Sequence, residues 1–171
     1  MEAEDITNLG EKSAAISLKA QGNLMDAGVL KVQMKIPLTS PDFSLHYAGS
    51  LSAMDLTRLN AFLDIAEHTR IKSGRAKQVT FKVEVTGDRA RGHVRAIYRD
   101  LKITILDKQS GTEKGLDNRI ASFIANTFAL QRSSAQGSMK EGKVNYRRRP
   151  DDTFIQVAWF SLRSGVLDVI Y

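Results

Sequence analysis

Few side chains in this chain are equipped for chemistry. The three histidines are His46, His68 and His93. His46 and His93 fall at alternating, outward strand positions far apart in the sequence, and His68 follows a helical stripe. No HxH or HExxH spacing brings imidazoles together, as a metal site needs. There is no cysteine, which removes disulfides, thiolate ligands and thiol nucleophiles. GxSxG, P-loop and dinucleotide fingerprints are absent. Asp151-Asp152 could act as paired carboxylates, but they precede an amphipathic run, where helix capping explains them more simply. The expectation is a protein with no catalytic residues, no metal and no cofactor.

Charge carries more information. The formal net charge is +6 and the sequence pI is about 9.7. Such a balance points to an anionic partner: nucleic acid, an anionic membrane surface or an acidic protein. Arg89, Arg91, His93 and Arg95 make one basic row, and Arg147-Arg148-Arg149 is the densest run. Single strands are gripped by aromatic side chains set among basic ones. Here Phe81 and Tyr98 belong to the opposite face, so a soluble nucleic-acid-binding β-domain is the weaker reading, and a purely structural protein-interaction domain is a further alternative.

The elements that position these residues follow from periodicity. In Val79–Leu106, Val79, Phe81, Val83 and Val85 alternate with Thr80, Lys82, Glu84 and Thr86, and Ala90 to Tyr98 alternate with the basic row. Period 2 gives a greasy face and a wet face. Two short breaks, Gly87-Asp88 and Arg99-Asp100, predict a three-stranded antiparallel meander. Before it, strands are expected at 15–22, at 28–36 ending at Pro37, and at 43–51, with a turn at Gln21–Asn23. Ser52 reads as the N-cap of a helix through Glu67 carrying Leu56, Leu59, Phe62 and Leu63. Beyond it, Leu116, Ile120, Phe123, Ile124 and Phe128 predict a helix over 116–131. A short strand around Val144 and Tyr146 follows. The last helix, 154–170, carries Ile155, Trp159, Leu162, Val166 and Val169. The fold class is α+β: a mainly antiparallel sheet of about seven strands in a meander, its concave apolar face partly covered by two or three helices. Residues 1–12 read as a flexible lead-in and 13–171 as one module. No run of 18 apolar residues occurs. The chain as given, without signal peptide or transmembrane helix, is either cytosolic or a piece of a longer secreted or anchored protein.

Strand face exceeds helix stripe in this inventory. Leu30, Val32, Met34 and Ile36, with Phe43, Leu45 and Tyr47, are expected to line a surface that an apolar ligand such as an acyl chain could enter; an ordinary core is the alternative. The last helix also has two readings. Either Trp159 is a core residue and the helix caps the sheet, or the helix docks on a membrane or partner with Arg147, Arg148 and Arg149 beside anionic headgroups.

Several runs resemble a known family. GSLSAMDLTRLN (49–60), GHVRAIYRDLKITILDK, the helix with IASFIANTFAL, and GKVNYRRRPDDTFIQVAWFSLRSG with its closing WFSLRSG (159–165) resemble the C-terminal region of AsmA-like proteins of Gram-negative bacteria, most of all the Bacteroidetes-type forms. The resemblance spans roughly 24–171. It implies a module of a large envelope protein, anchored in the inner membrane and exposing a β-groove to the periplasm. It further implies kinship with bridge-like lipid transfer proteins, phospholipid or another acyl-chain ligand as cargo, and a role in outer-membrane lipid homeostasis and assembly. The remainder of that longer protein would be its first partner.

Overall fold

The computed structural model describes residues 14–106 and 138–170. The helix expected at 116–131 and the lead-in lie outside the described residues. Seven strands form one antiparallel sheet: β1 (Ala15–Leu24), β2 (Gly28–Pro37), β3 (Ser44–Leu51), the two-residue β4 (Met54–Asp55), β5 (Thr69–Thr86), β6 (Arg89–Ile105) and β7 (Lys140–Arg147). Their order is β1-β2-β3-β5-β6-β7, with β4 pairing with the first part of β5. A 3-10 turn (Leu56–Leu59) leads into α1 (Asn60–Ala66), and α2 (Phe154–Ile170) closes the described chain. The architecture is therefore α+β with the sheet dominant.

Register sets the two faces. One row across the sheet reads Leu18, Met34, Tyr47, Val83, Gly92 and Val144; the next reads Ala20, Val32, Gly49, Phe81, Val94 and Gly142. Every odd step along a strand turns the side chain to the other face, so the apolar residues of six strands collect on one side. Leu45, Val83, Val85, Val94 and Val157 are fully buried there. Phe81 and Val85 lie in the same cluster as Val157 and Val169 of α2.

The breaks differ in part from expectation. Gly87, at φ 60, closes the β5–β6 hairpin as anticipated. Arg99-Asp100 does not turn the chain: β6 runs through it, and the supposed third strand is its continuation. Asp100 adopts φ 57 and the register slips opposite it. Such a bulge inserts an extra residue, which brings Leu101 back to the buried face after Tyr98. The β1–β2 turn lies at Met25-Asp26, both with φ 52, and not at Gln21–Asn23; the left-handed pair supplies the tight reversal expected there.

Caps also moved. Ser52 Oγ accepts from the Val29 N–H at 2.9 Å, tying β3 to β2. The 3-10 turn is capped by Asp55, whose Oδ1 accepts from the Thr57 N–H at 2.9 Å. Helix α2 starts with a capping box: the Gln156 N–H reaches Thr153 Oγ1 and the Thr153 N–H reaches Gln156 Oε1, at 3.3 and 2.8 Å.

Helix α2 buries Val157, Ser161, Gly165 and Val169, one residue every fourth. The expected stripe was rotated: Ile155 is 77% exposed and Val166 is exposed too. Close approach decides the orientation. A Cβ on Gly165 would stand 2.6 Å from Val94 Cγ2, so only a glycine-bearing face can sit this low on the sheet.

Candidate functional site

Helix α2 lies over β7 and β6 and reaches β3 through Tyr47. The Tyr47 hydroxyl bonds the Ala158 carbonyl at 2.8 Å and Ser161 Oγ at 2.7 Å. Burial pushes this phenol up to about 12. Beyond Tyr47 no described helix follows. Leu30, Val32, Met34 and Ile36 are half-buried and packed against the core, and Leu30 also packs against a second cluster of Leu51, Met54 and Ala76. Their partners on β1 are Gly22, Ala20, Leu18 and Ile16. Leu18 is 39% exposed. The apolar face thus continues past the core to the last strand of the sheet.

Of the seven residues expected to line a ligand surface, Leu30, Val32, Met34 and Ile36 sit together on this flank. Phe43 stands apart under the Arg148 guanidinium, 4.4 Å from its ring centre. Leu45 and Tyr47 are a correction: at 0% and 5% exposure they belong to the core, in one cluster with Val157 and Val169 of α2, and do not line an open surface. The β1 contribution was missed as part of the site, although the alternation of Ile16, Leu18 and Ala20 was visible.

The expected docking residues do not converge. Arg147 lies on the opposite, wet face and its Nε donates to Asp88 at 2.8 Å. Arg148 turns to the apolar side. Arg149 is exposed, and its backbone N–H donates to Asp152 Oδ2. Alternation along a strand separates the three. Trp159 is half-buried, edge-on to Phe62 of α1 at 4.8 Å, with its indole N–H donating to Glu67 Oε1 at 2.8 Å.

Asp151 and Asp152 form no acid–base pair. Asp152 accepts from the Tyr146 hydroxyl and from the Arg149 N–H, bonds that hold its carboxyl below the usual range, while Asp151 is exposed. A carboxylate that takes two hydrogen bonds on one oxygen in this way is a structural acceptor. Among the described residues no three His, Cys, Asp or Glu side chains gather as a metal site would need. A shallow polar hollow lined by Asp55, Thr57, Gly74, Arg75 and Arg99 marks the β5–β6 bulge.

The two edges of the sheet differ. The outward N–H groups of Lys143 and Asn145 on β7 donate to Asp168 Oδ2 at 2.7 Å and Ser164 Oγ at 3.1 Å, both from α2. β1 ends the strand order at the other side, and among the described residues β2 is the one strand it pairs with. No described helix is long and apolar enough to cross a membrane. No family model, curated protein or solved structure matches the chain.

Proposed function

We propose that this chain is a non-catalytic module of an AsmA-like envelope protein that handles lipid acyl chains in the periplasm and so supports outer-membrane lipid transport or assembly. One observation carries the reading. An apolar sheet face, half-exposed from Leu30–Ile36 to Ile16–Ala20, runs to an edge strand among the described residues. Water against such a face is unfavourable by roughly 25 cal/mol per Å², and an acyl chain removes that water without needing a hydrogen bond.

The contrast between the edges supports the same reading. Two outward amides of β7 are closed by side chains of α2, whereas among the described residues β1 pairs with one strand, β2. An exposed edge is a template for another strand, and a neighbouring strand of a longer protein would extend the apolar floor.

The test is lipid carried by the protein itself. The full chain, made in a Gram-negative host and purified without detergent, should release phospholipid detected by mass spectrometry. Met34→Glu and Leu18→Glu, both at half-exposed positions, should keep the circular dichroism of the parent and lose most of the lipid. A lipid-free parent protein, or variants that retain lipid at parent levels, overturns the reading.

A further inference from the structure

The face opposite the helices has its own logic, independent of acyl-chain handling. Register carries it across six strands: Gln21, Lys31, Ser50, Thr80, Arg95 and Glu141 form one row. The next row joins Lys19 and Gln33 to Lys82, His93 and Lys143. A third joins Lys35 and His46 to Glu84 and Arg91. In these rows lysine and arginine outnumber the two carboxylates, Glu84 and Glu141. Those two are engaged locally, by Lys82 and by Arg95. Lys31, Lys35 and Arg91 are exposed and make no ion pair among the described residues.

Like charges also stand directly opposite one another. Arg89 faces Arg147 across β6–β7, and Arg75 faces Arg99 across the bulge. Such pairs destabilise a sheet. Asp88 offsets the first by accepting from Arg147, but the register still concentrates positive charge on one side. A solvated face that merely kept the protein soluble would mix signs. This arrangement suits a partner that brings negative charge over a wide area.

We propose that this basic face is a docking surface for an anionic lipid bilayer. Three observations choose a bilayer over a nucleic acid. The rows carry no Phe, Tyr or Trp on which a base could stack. Both described helices lie on the other side, so among the described residues no helix projects from this face to enter a groove. The charges spread in two dimensions, over about 24 Å across six strands at an interstrand spacing of ~4.8 Å. A headgroup lattice matches that spread, whereas a single strand offers one track. Docking this way holds Trp159 and the apolar face away from the headgroups.

The experiment is co-sedimentation of the full chain with vesicles of phosphatidylcholine containing phosphatidylglycerol, beside vesicles of phosphatidylcholine alone. Binding to the anionic vesicles only, lost at about 0.5 M salt where screening shortens to a few ångströms, is expected. Lys31→Glu/Lys35→Glu/Arg91→Glu should weaken it at least about tenfold, since each basic residue near such a surface contributes on the order of 1 kcal/mol. Its circular dichroism should match the parent, and the lipid-carrying test above reads the other face separately. Trp159 emission should not move on binding. No binding to anionic vesicles at low salt, equal binding by the triple variant, a Trp159 blue shift, or tighter binding to single-stranded or duplex DNA at the same salt overturns the proposal.

Discussion

A Cβ placed on Gly142 would lie 2.4 Å from the carbonyl oxygen of Gly165. β7 and α2 therefore meet backbone to backbone, through two residues that have no side chain. Helix propensity alone favours Gly165→Ala by about 1 kcal/mol. Contact with Val94 and Val144 at 2.6 and 2.7 Å opposes it, and overpacking of this kind costs about 1–3 kcal/mol. Packing should win. Urea denaturation of Gly165→Ala and Gly142→Ala is expected to show a lower midpoint for both, larger for Gly142→Ala, because its new methyl meets backbone and cannot push a side chain aside.

That contact also explains what was legible in the sequence. The strands announced themselves through period 2, and α2 through its length and its bounds. Its buried face did not. Ranking residues by greasiness selected Ile155 and Val166, while closeness to the sheet selected Gly165 and Ser161. A glycine in a helix signals close approach only when the glycine it meets is known, and Gly142 is 23 positions away in the numbering. The Arg99-Asp100 bulge was illegible for a similar reason. An apolar–polar slip of one residue looks alike in a turn and in a bulge, and only pairing with β5 separates them. The half-exposed flank of β1 and β2 was visible as surplus strand face, but which strands α2 would cover was not.

Glu67 ties the two helices together. It accepts from the Trp159 indole through one oxygen and from Arg163 Nε, at 2.7 Å, through the other. Its side chain is 14% exposed. Hydrogen bonds to a charged group contribute about 1.5–3 kcal/mol. Glu67→Ala should lose about that much in denaturant titrations and shift Trp159 emission to the red as water reaches the indole. Arg163 is already half-exposed, so its release adds no buried charge. An unshifted emission with unchanged stability would show that Phe62 alone holds the ring.

Tyr47 makes stability depend on pH at the alkaline end. Its folded pKa, raised by burial to about 12, exceeds the ordinary phenol value of about 10. The folded state then holds its proton more tightly than the unfolded one. This contribution is complete below pH ~10 and is lost as pH rises towards 12, at about 1.4 kcal/mol per pH unit per proton. Tyr146 is raised similarly, by burial and by its bond to Asp152. Tyr47→Phe should cost about 1 kcal/mol at neutral pH and flatten the fall in melting temperature above pH 10. A slope identical to the parent would assign the whole dependence to other groups.

Arg148 stacks its guanidinium on Phe43 while its buried Nε has no hydrogen-bond partner among the described residues. The stack contributes about 0.5–2 kcal/mol, and an orphaned N–H costs a similar amount. Arg148→Met keeps an adaptable apolar cover on the ring and removes the orphan. It is expected to be neutral to within about 1 kcal/mol in urea, whereas Arg148→Ala, which uncovers Phe43, should be the less stable of the two.

The finished edge of β7 gives the last prediction. Asp168 and Ser164 accept from Lys143 and Asn145, so these two amides are closed to a neighbouring strand. Asp168→Ala/Ser164→Ala leaves the β6–β7 pairing and the Gly142–Gly165 contact intact, because both substituted side chains lie at the rim. It exposes two adjacent outward amides. Amide exchange at Lys143 and Asn145 should accelerate, with the β5–β6 hairpin unchanged. Sheet edges with unpaired N–H groups recruit strands, so the double variant should also self-associate with rising concentration in sedimentation velocity, above the level of the parent. If exchange accelerates without self-association, twist and the charge of Lys143 already keep β7 from pairing. If neither changes, the two side chains play no part in closing the edge.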